Sequence, residues 1–168
     1  MNNFFKILLS APFSAKVGMI IITFYLIVAI FAPLIAPYGE YYLATPIAYE
    51  VWSSDYWLGT DNLGRDMLSR LIYGARNTLG LALTITILAF LLGGILGMTA
   101  AALGGWVDQL LSRVNDVFMA IPSLIFALLI LSIFGTSIPY LIGTIVILDA
   151  TRVFRIARAT AMNVAVMD

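Results

Sequence analysis

The sequence contains no cysteine and no histidine, and only 11% of its 168 residues are charged. The absence of cysteine excludes disulfide bonds and thiol catalysis within the chain, and the absence of both residues removes the usual ligands of transition metals. The nine basic and nine acidic residues cancel, so no net field favours a nucleic acid or a basic substrate. We therefore predict no catalytic site, no bound metal or cofactor and no nucleic-acid partner for this chain.

Apolar residues, in contrast, make up 62% of the sequence and give it a positive mean hydropathy. This fraction is far above that of a soluble domain of similar length. The composition predicts an all-α membrane protein.

Long runs without charge place about four transmembrane helices. The first covers residues 18–35, which at about 1.5 Å per residue can cross a hydrocarbon core of about 30 Å. A second long helix is predicted between Arg76 and Asp108. A turn rich in glycine and proline divides the next run into helices over about 117–134 and 139–156. A cleaved signal peptide is the alternative for the first run, which is long for that purpose.

The distribution of basic residues predicts the orientation, because cytoplasmic segments carry more lysine and arginine. With the N terminus in the cytoplasm, six of the nine bases lie inside, namely Lys6, Lys16, Arg113, Arg152, Arg155 and Arg158. The other three, Arg65, Arg70 and Arg76, then lie outside. We predict a cytoplasmic N terminus and an extracytoplasmic loop after the first helix.

A charged stretch within this loop predicts an amphipathic helix of about three turns at the outer membrane surface. Its apolar residues recur on one helical face: Leu63, Met67, Leu68, Leu71, Ile72 and Ala75. The predicted N-cap is Thr60, Asp61 or Asn62. Structural anchoring is favoured for this stretch over a partner contact through Arg65 and Arg76, and over contact with substrate.

Local chemistry in the stretch predicts how its backbone turns. Gly59 and Gly64 allow a sharp turn, and the Asp61 carboxylate can accept hydrogen bonds from donors that lipid does not satisfy. Asp66 and Arg70 are four residues apart and are predicted to form an ion pair.

Two further patterns lie in the apolar helices. Small residues recur every fourth position and predict close helix packing, with lining of a pathway as the alternative: Gly93, Gly97, Ala101 and Gly105. Asp149 stands inside an apolar run, and we favour an interfacial ion pair with Arg152 over a proton or substrate site.

Three sequence blocks resemble one family of membrane proteins. They are LGTDNLGRDMLSRLIYGARNTL at 58–79, GGWVDQLLSRVNDVFMAIPSL at 104–124 and RVFRIARA at 152–159. The family is the second permease, of the DppC/OppC type, in bacterial ABC importers for dipeptides, oligopeptides and nickel. The residues that match its first block are Gly59, Thr60, Asp61, Gly64, Arg65, Asp66, Ser69, Arg70, Gly74 and Arg76. In the second block, Asp108, Arg113, Asp116 and Pro122 match, and the first three are expected in a short cytoplasmic loop.

The resemblance implies the N-terminal part of a six-helix permease in the bacterial inner membrane. It divides the chain into a cytoplasmic N terminus with helix one (1–36), an extracytoplasmic loop with the amphipathic helix (37–77) and the start of the permease core (78–168). The family's loop that couples to the ATPase is expected after Asp168.

The implied function is half of a translocation pathway, through which an ATP-driven importer passes a solute, expected to be a peptide. Implied partners are a second permease subunit, ATPase subunits, an extracytoplasmic solute-binding protein and the lipid bilayer. ATP and magnesium would bind the ATPase subunits, since the chain has no GxxxxGK[ST] motif and is not itself predicted to be an enzyme. The alternatives are a self-contained small scaffold or channel or, within the family, import of nickel or oligosaccharides.

Overall fold

The computed structural model describes residues 12–165 and divides into two compact units between Gly80 and Leu81. The basic flank predicted at Lys6 lies outside the described residues. Within them the secondary structure is helical apart from one isolated bridge, which confirms the all-α class.

The first unit begins with α1, Phe13–Ile30, and the short helix α2, Ala32–Ile35. α1 contains one charged residue, Lys16, and its 18 residues span about 27 Å. The chain breaks at Phe31 because Pro33, in the first turn of α2, has no N–H to donate to a continuing helix. Residues 37–66 then form turns and irregular structure.

Helix α3, Met67–Leu103, runs without a break from the first unit into the second. The prediction of a separate amphipathic helix before the second transmembrane helix is wrong, because its residues from Met67 onward form the first turns of α3. No proline interrupts this stretch, and its glycines lie where an established helix tolerates them. The domain division at 77–78 stays a prediction.

The second unit continues with α4, Gly105–Ala120, and α5, Ser123–Phe134, which meet at a bend of 89°. The predicted single helix over 117–134 is therefore wrong. Pro122 disfavours helical dihedral angles in the residue before it, and Ile121 is extended with φ −85° and ψ 125°.

The last helix, α6, covers Ile138–Ala165 and is longer than predicted. Both α4 and α5 pack against it. A small core joins α3 to α6 through Ala89, Val146 and Ala150.

Among residues 12–165, two helices, α1 and α3, are long and apolar enough to cross a membrane, and the bent pair of α4 and α5 would make a third span. This is fewer than the four predicted, because three charges interrupt α6: Asp149, Arg152 and Arg155. The described residues therefore fit an all-α membrane protein.

Candidate functional site

The charged stretch predicted from sequence forms a tight double turn before α3. Gly59 and Gly64 adopt positive φ values of 71° and 74°. A Cβ atom at Gly59 would overlap the carbonyl oxygen of Glu50, and one at Gly64 would overlap that of Thr45. Both conformation and space therefore require glycine here.

Asp61 holds this turn together. Its Oδ1 atom accepts hydrogen bonds from the N–H of Leu63 at 2.8 Å and of Arg65 at 3.0 Å. Its Oδ2 atom accepts a bond from Arg65 Nε at 2.8 Å and lies 3.6 Å from Arg70 Nε. Burial by itself raises the pKa of this carboxyl, but the hydrogen bonds from Arg65 and Leu63 outweigh it and hold the pKa below its ordinary value.

Asp66 caps α3 instead of pairing with Arg70. Its Oδ2 atom accepts bonds from Ser69 N at 2.8 Å and Ser69 Oγ at 2.6 Å. Ser69 Oγ in turn accepts a bond from the N–H of Tyr38 at 3.0 Å. The predicted caps at Thr60, Asp61 or Asn62 are wrong, and so is the Asp66–Arg70 pair. The reason is that an aspartate just before the first helical residue satisfies N–H groups of the first turn.

Thr60 and Arg76 also belong to the first sequence block, at 58–79. Thr60 is buried, and its Oγ1 atom accepts a bond from the N–H of Glu50 at 2.8 Å and lies 3.3 Å from the carbonyl oxygen of Ile47. Arg76 is exposed on α3 and forms no ion pair with any residue in the range 12–165. Most of the motif thus builds one turn, and Arg76 stands apart from it.

In the second unit, α3 and α6 approach each other at two glycines. A Cβ atom at Gly93 would overlap the carbonyl oxygen of Ala150, and one at Gly97 would lie 2.6 Å from that of Phe154. Ala100 is fully buried as well. The prediction of close packing is met at these positions, but Gly105 belongs to α4, where a Cβ atom would meet nothing within 4 Å.

A two-bonded ion pair ties α4 to α6. Arg158 Nε and Nη2 donate to the two carboxylate oxygens of Asp108, the second bond being 2.6 Å long. Ser112 Oγ lies 3.5 Å from the same carboxylate. Sequence reasoning missed this pair, because the partners are 50 residues apart and no local spacing connects them.

The remaining predicted site residues lie on helices, and they differ in burial: Asp108 is half-buried, Asp149 is partly exposed, and Arg113, Asp116 and Arg152 are exposed. Asp108, Arg113 and Asp116 lie on α4, which corrects their placement in a loop, and the described residues contain no ion pair between the last two. Asp149 Oδ1 lies 2.9 Å from Arg152 Nη1, and the two side chains are 41% and 68% exposed. This pair is accessible to solvent and is not buried in a helix bundle of the described chain.

The side chains described above fix the positions of the helices and of the turn before α3. Within residues 12–165, no three acidic residues are grouped closely enough to hold a metal ion. What the structure provides is a capped turn, a close helix contact and an ion pair that joins two helices.

Comparison with known proteins gives two family matches. Residues 89–168 match the binding-protein-dependent transport system inner membrane component, and residues 14–50 match the N-terminal TM domain of oligopeptide transport permease C. Together the matches cover well over half of the chain.

Similar proteins include permeases that are named for the transport of different solutes. The chain is 35% identical to the dipeptide transport system permease protein DppC of Alkalihalophilus pseudofirmus over 151 residues, covering 89% of this chain and 49% of that protein. It is 34% identical to the DppC protein of Haemophilus influenzae, covering 89% and 52%. It is 35% identical to the nickel transport system permease protein NikC of Escherichia coli, covering 81% and 48%. The chain spans about half the length of these curated relatives.

Proposed function

Because the chain belongs to the family of inner membrane components of binding-protein-dependent transport systems, we propose that it acts as a permease subunit of an ATP-driven importer. In this role it forms part of the pathway through which a solute, delivered by an extracytoplasmic binding protein, crosses the membrane. ATPase subunits on the cytoplasmic side supply the energy, and a second permease subunit completes the pathway. The observation that carries this proposal is the order of the two family matches along one apolar chain.

The contacts between α3, α4 and α6 support a mechanism in which these helices move together. In the second unit, Gly93 and Gly97 bring the backbones of α3 and α6 together, and Asp108 joins α4 to the same helix through Arg158. Three helices linked in this way respond together to a force applied at one of them, as alternating access requires.

The proposal includes a cytoplasmic N terminus and an extracytoplasmic loop over 37–66, in the inner membrane of a bacterium. The absence of cysteine makes this directly testable, because each introduced cysteine is the only thiol. Asp55→Cys in the loop should react with a membrane-impermeant maleimide in intact spheroplasts. Arg113→Cys on α4 should react only after permeabilisation. The reverse pattern would contradict the orientation.

Co-purification tests the importer itself. An affinity tag on the chain in its native host should recover ATPase subunits and a second permease subunit from detergent extracts. Recovery of the chain alone, with formation of pores in liposomes, would contradict the importer and favour a self-contained channel.

Peptides are the proposed cargo, on the basis of the two dipeptide permeases among the relatives. Deletion of the gene that encodes the chain should abolish uptake of labelled dialanine and leave uptake of labelled Ni²⁺ unchanged, and the gene supplied on a plasmid should restore dialanine uptake. Loss of Ni²⁺ uptake alone would contradict the cargo but keep the importer, because a nickel permease is also a relative.

A further inference from the structure

A fissure of about 380 Å³ lies beside the basic half of α6. Its lining combines two arginines with three apolar side chains, namely Met119, Arg152, Arg155, Ile156 and Ala159. A second groove of about 370 Å³ on the same helix has no charged residue in its lining. The two spaces are similar in volume, so the distinguishing property of the first is its pair of guanidinium groups.

Arg155 has no acidic partner among residues 12–165. The bond that its Nη1 atom makes is to the sulfur of Met119 at 3.6 Å, and a thioether is a weak acceptor. Among residues 12–165, no carboxylate oxygen lies within 4.0 Å of its guanidinium nitrogens. Since a guanidinium carries five N–H donors, this exposed side chain has donors left for an anion.

Arg152 also has N–H donors available for an anion. Its Nη1 atom bonds to Asp149 at 2.9 Å, while its side chain is 68% exposed. Arg158, the third base of this helix end, is occupied by Asp108 through two bonds. The available positive charge of α6 is therefore concentrated at the fissure.

The apolar part of the fissure is also accessible. Ile156 is 69% exposed and Met119 is 40% exposed. The bases follow directly after residues 138–148, which are uncharged, so the fissure lies where α6 changes from apolar to basic. In a membrane protein this change marks the level of the lipid headgroups.

We propose that this fissure binds an anionic phospholipid. Arg152 and Arg155 hold the headgroup phosphate, for which the guanidinium fork is well suited, and the acyl chain lies along Met119, Ile156 and Ala159. Basic sites between membrane helices recognise anionic headgroups by the same chemistry. This binding goes beyond the transport function and does not depend on it.

Native mass spectrometry of the purified full chain in detergent tests the proposal. The probes are phosphatidylglycerol and phosphatidylcholine with identical acyl chains. The parent should retain phosphatidylglycerol preferentially. In the double variant Arg152→Gln/Arg155→Gln, its retention should fall at least about tenfold, as expected for the loss of two basic contacts. Arg113→Gln is the control, to be compared with Arg155→Gln: each removes one positive charge, but Arg113 is exposed outside the fissure, so its variant should leave retention unchanged.

A charge-preserving variant separates binding from misfolding. Arg155→Lys keeps the charge but lacks the planar fork, so its retention should lie between those of the parent and Arg155→Gln. Parent-like retention of phosphatidylglycerol in the double variant would overturn the proposal. So would equal retention of phosphatidylcholine by the parent, or complete displacement by millimolar inorganic phosphate, which would identify free phosphate as the ligand.

Discussion

Glycine serves different purposes in the two compact units. In the first, Gly59 and Gly64 have positive φ values and form a turn whose polar groups are satisfied by close neighbours in sequence. In the second, Gly93 and Gly97 are helical, and no larger residue fits at these positions because α6 lies against them. The first region is held by hydrogen bonds that span from two residues, between Leu63 and Asp61, to 31 residues, between Tyr38 and Ser69. The second is held by contacts between residues more than fifty positions apart. Variants of the two regions should therefore differ in how much stability they lose, in how that loss depends on pH, and in whether the losses of two variants add.

Enlarging the glycines at the helix contact should have the largest effect. Gly93→Ala and Gly97→Ala each place a methyl group against the backbone of α6 and should destabilise the protein by about 1–3 kcal/mol through overpacking. Thermal unfolding in detergent measures this. Gly94→Ala is the matched control, because a Cβ atom there meets nothing within 4 Å. Equal melting temperatures for all three variants would contradict the close contact.

Removing the cap of α3 should come next. Asp66→Ala takes away both bonds to Ser69 and should cost about 1–2 kcal/mol, typical of a lost N-cap. Faster hydrogen exchange at the Ser69 amide, together with a lower melting temperature, would report the loss. Asp55→Ala removes a carboxylate from an exposed loop position and should change neither. Unchanged exchange at Ser69 would show that the cap is unimportant.

The ion pair of the second unit should show strong coupling. Asp108→Asn and Arg158→Gln each leave one half-buried partner without its counterpart, so each should lower the melting temperature. The double variant should lose less than the sum of the two single losses. Arg113→Gln, which removes an exposed base from the same helix, provides the baseline. Strict additivity would mean that the pair contributes nothing.

The turn of the first unit should add an acid-side pH dependence. The pKa of Asp61 is lower in the folded chain than in the unfolded one, so its stabilisation is complete above the unfolded pKa of about 3.9 and is lost as the pH falls through the folded value. Asp61→Asn should therefore flatten the acid end of a plot of melting temperature against pH from 7 to 3. Asp55→Asn should keep the slope of the parent. An unchanged slope in Asp61→Asn would contradict this role.

The smallest effect is expected for the exposed pair on α6. Asp149→Asn removes an ion pair whose side chains are largely solvent-accessible, so it should cost only about 0.2–1 kcal/mol and less at high salt. Transport by the complete system should stay near the parent level. Lost transport at normal membrane abundance would instead indicate a proton or substrate site.

The small-residue pattern of α3 shows how well sequence periodicity predicts the residues of a helix contact. A repeat of four residues advances about 400° at 100° per residue, so each step drifts about 40° around the helix. Gly93 and Gly97 meet α6, and Ala100 is buried three residues further on, whereas the predicted Ala101 is only half-buried and Gly105 lies on α4. Sequence identified the packing helix, but the crossing of α3 with α6 selected the contact residues.

Ion pairing in the charged stretch was only partly predictable. Asp61 accepts N–H bonds as expected, since an aspartate at a turn readily bonds the amides that follow it. Arg70, however, lies near Asp61, because Asp66 is committed to the helix cap. Spacing alone does not reveal which of two nearby carboxylates lies close to an arginine.

By itself, the sequence determined the membrane class, the family and the turn at Gly59 and Gly64. These follow from composition and from interactions within a few residues, whose geometry the backbone limits. Only the tertiary structure decided that Asp108 pairs with Arg158 and that Arg155 has no acidic partner within the described residues. Such choices depend on where two helices cross, and the crossing is set by packing along their whole length.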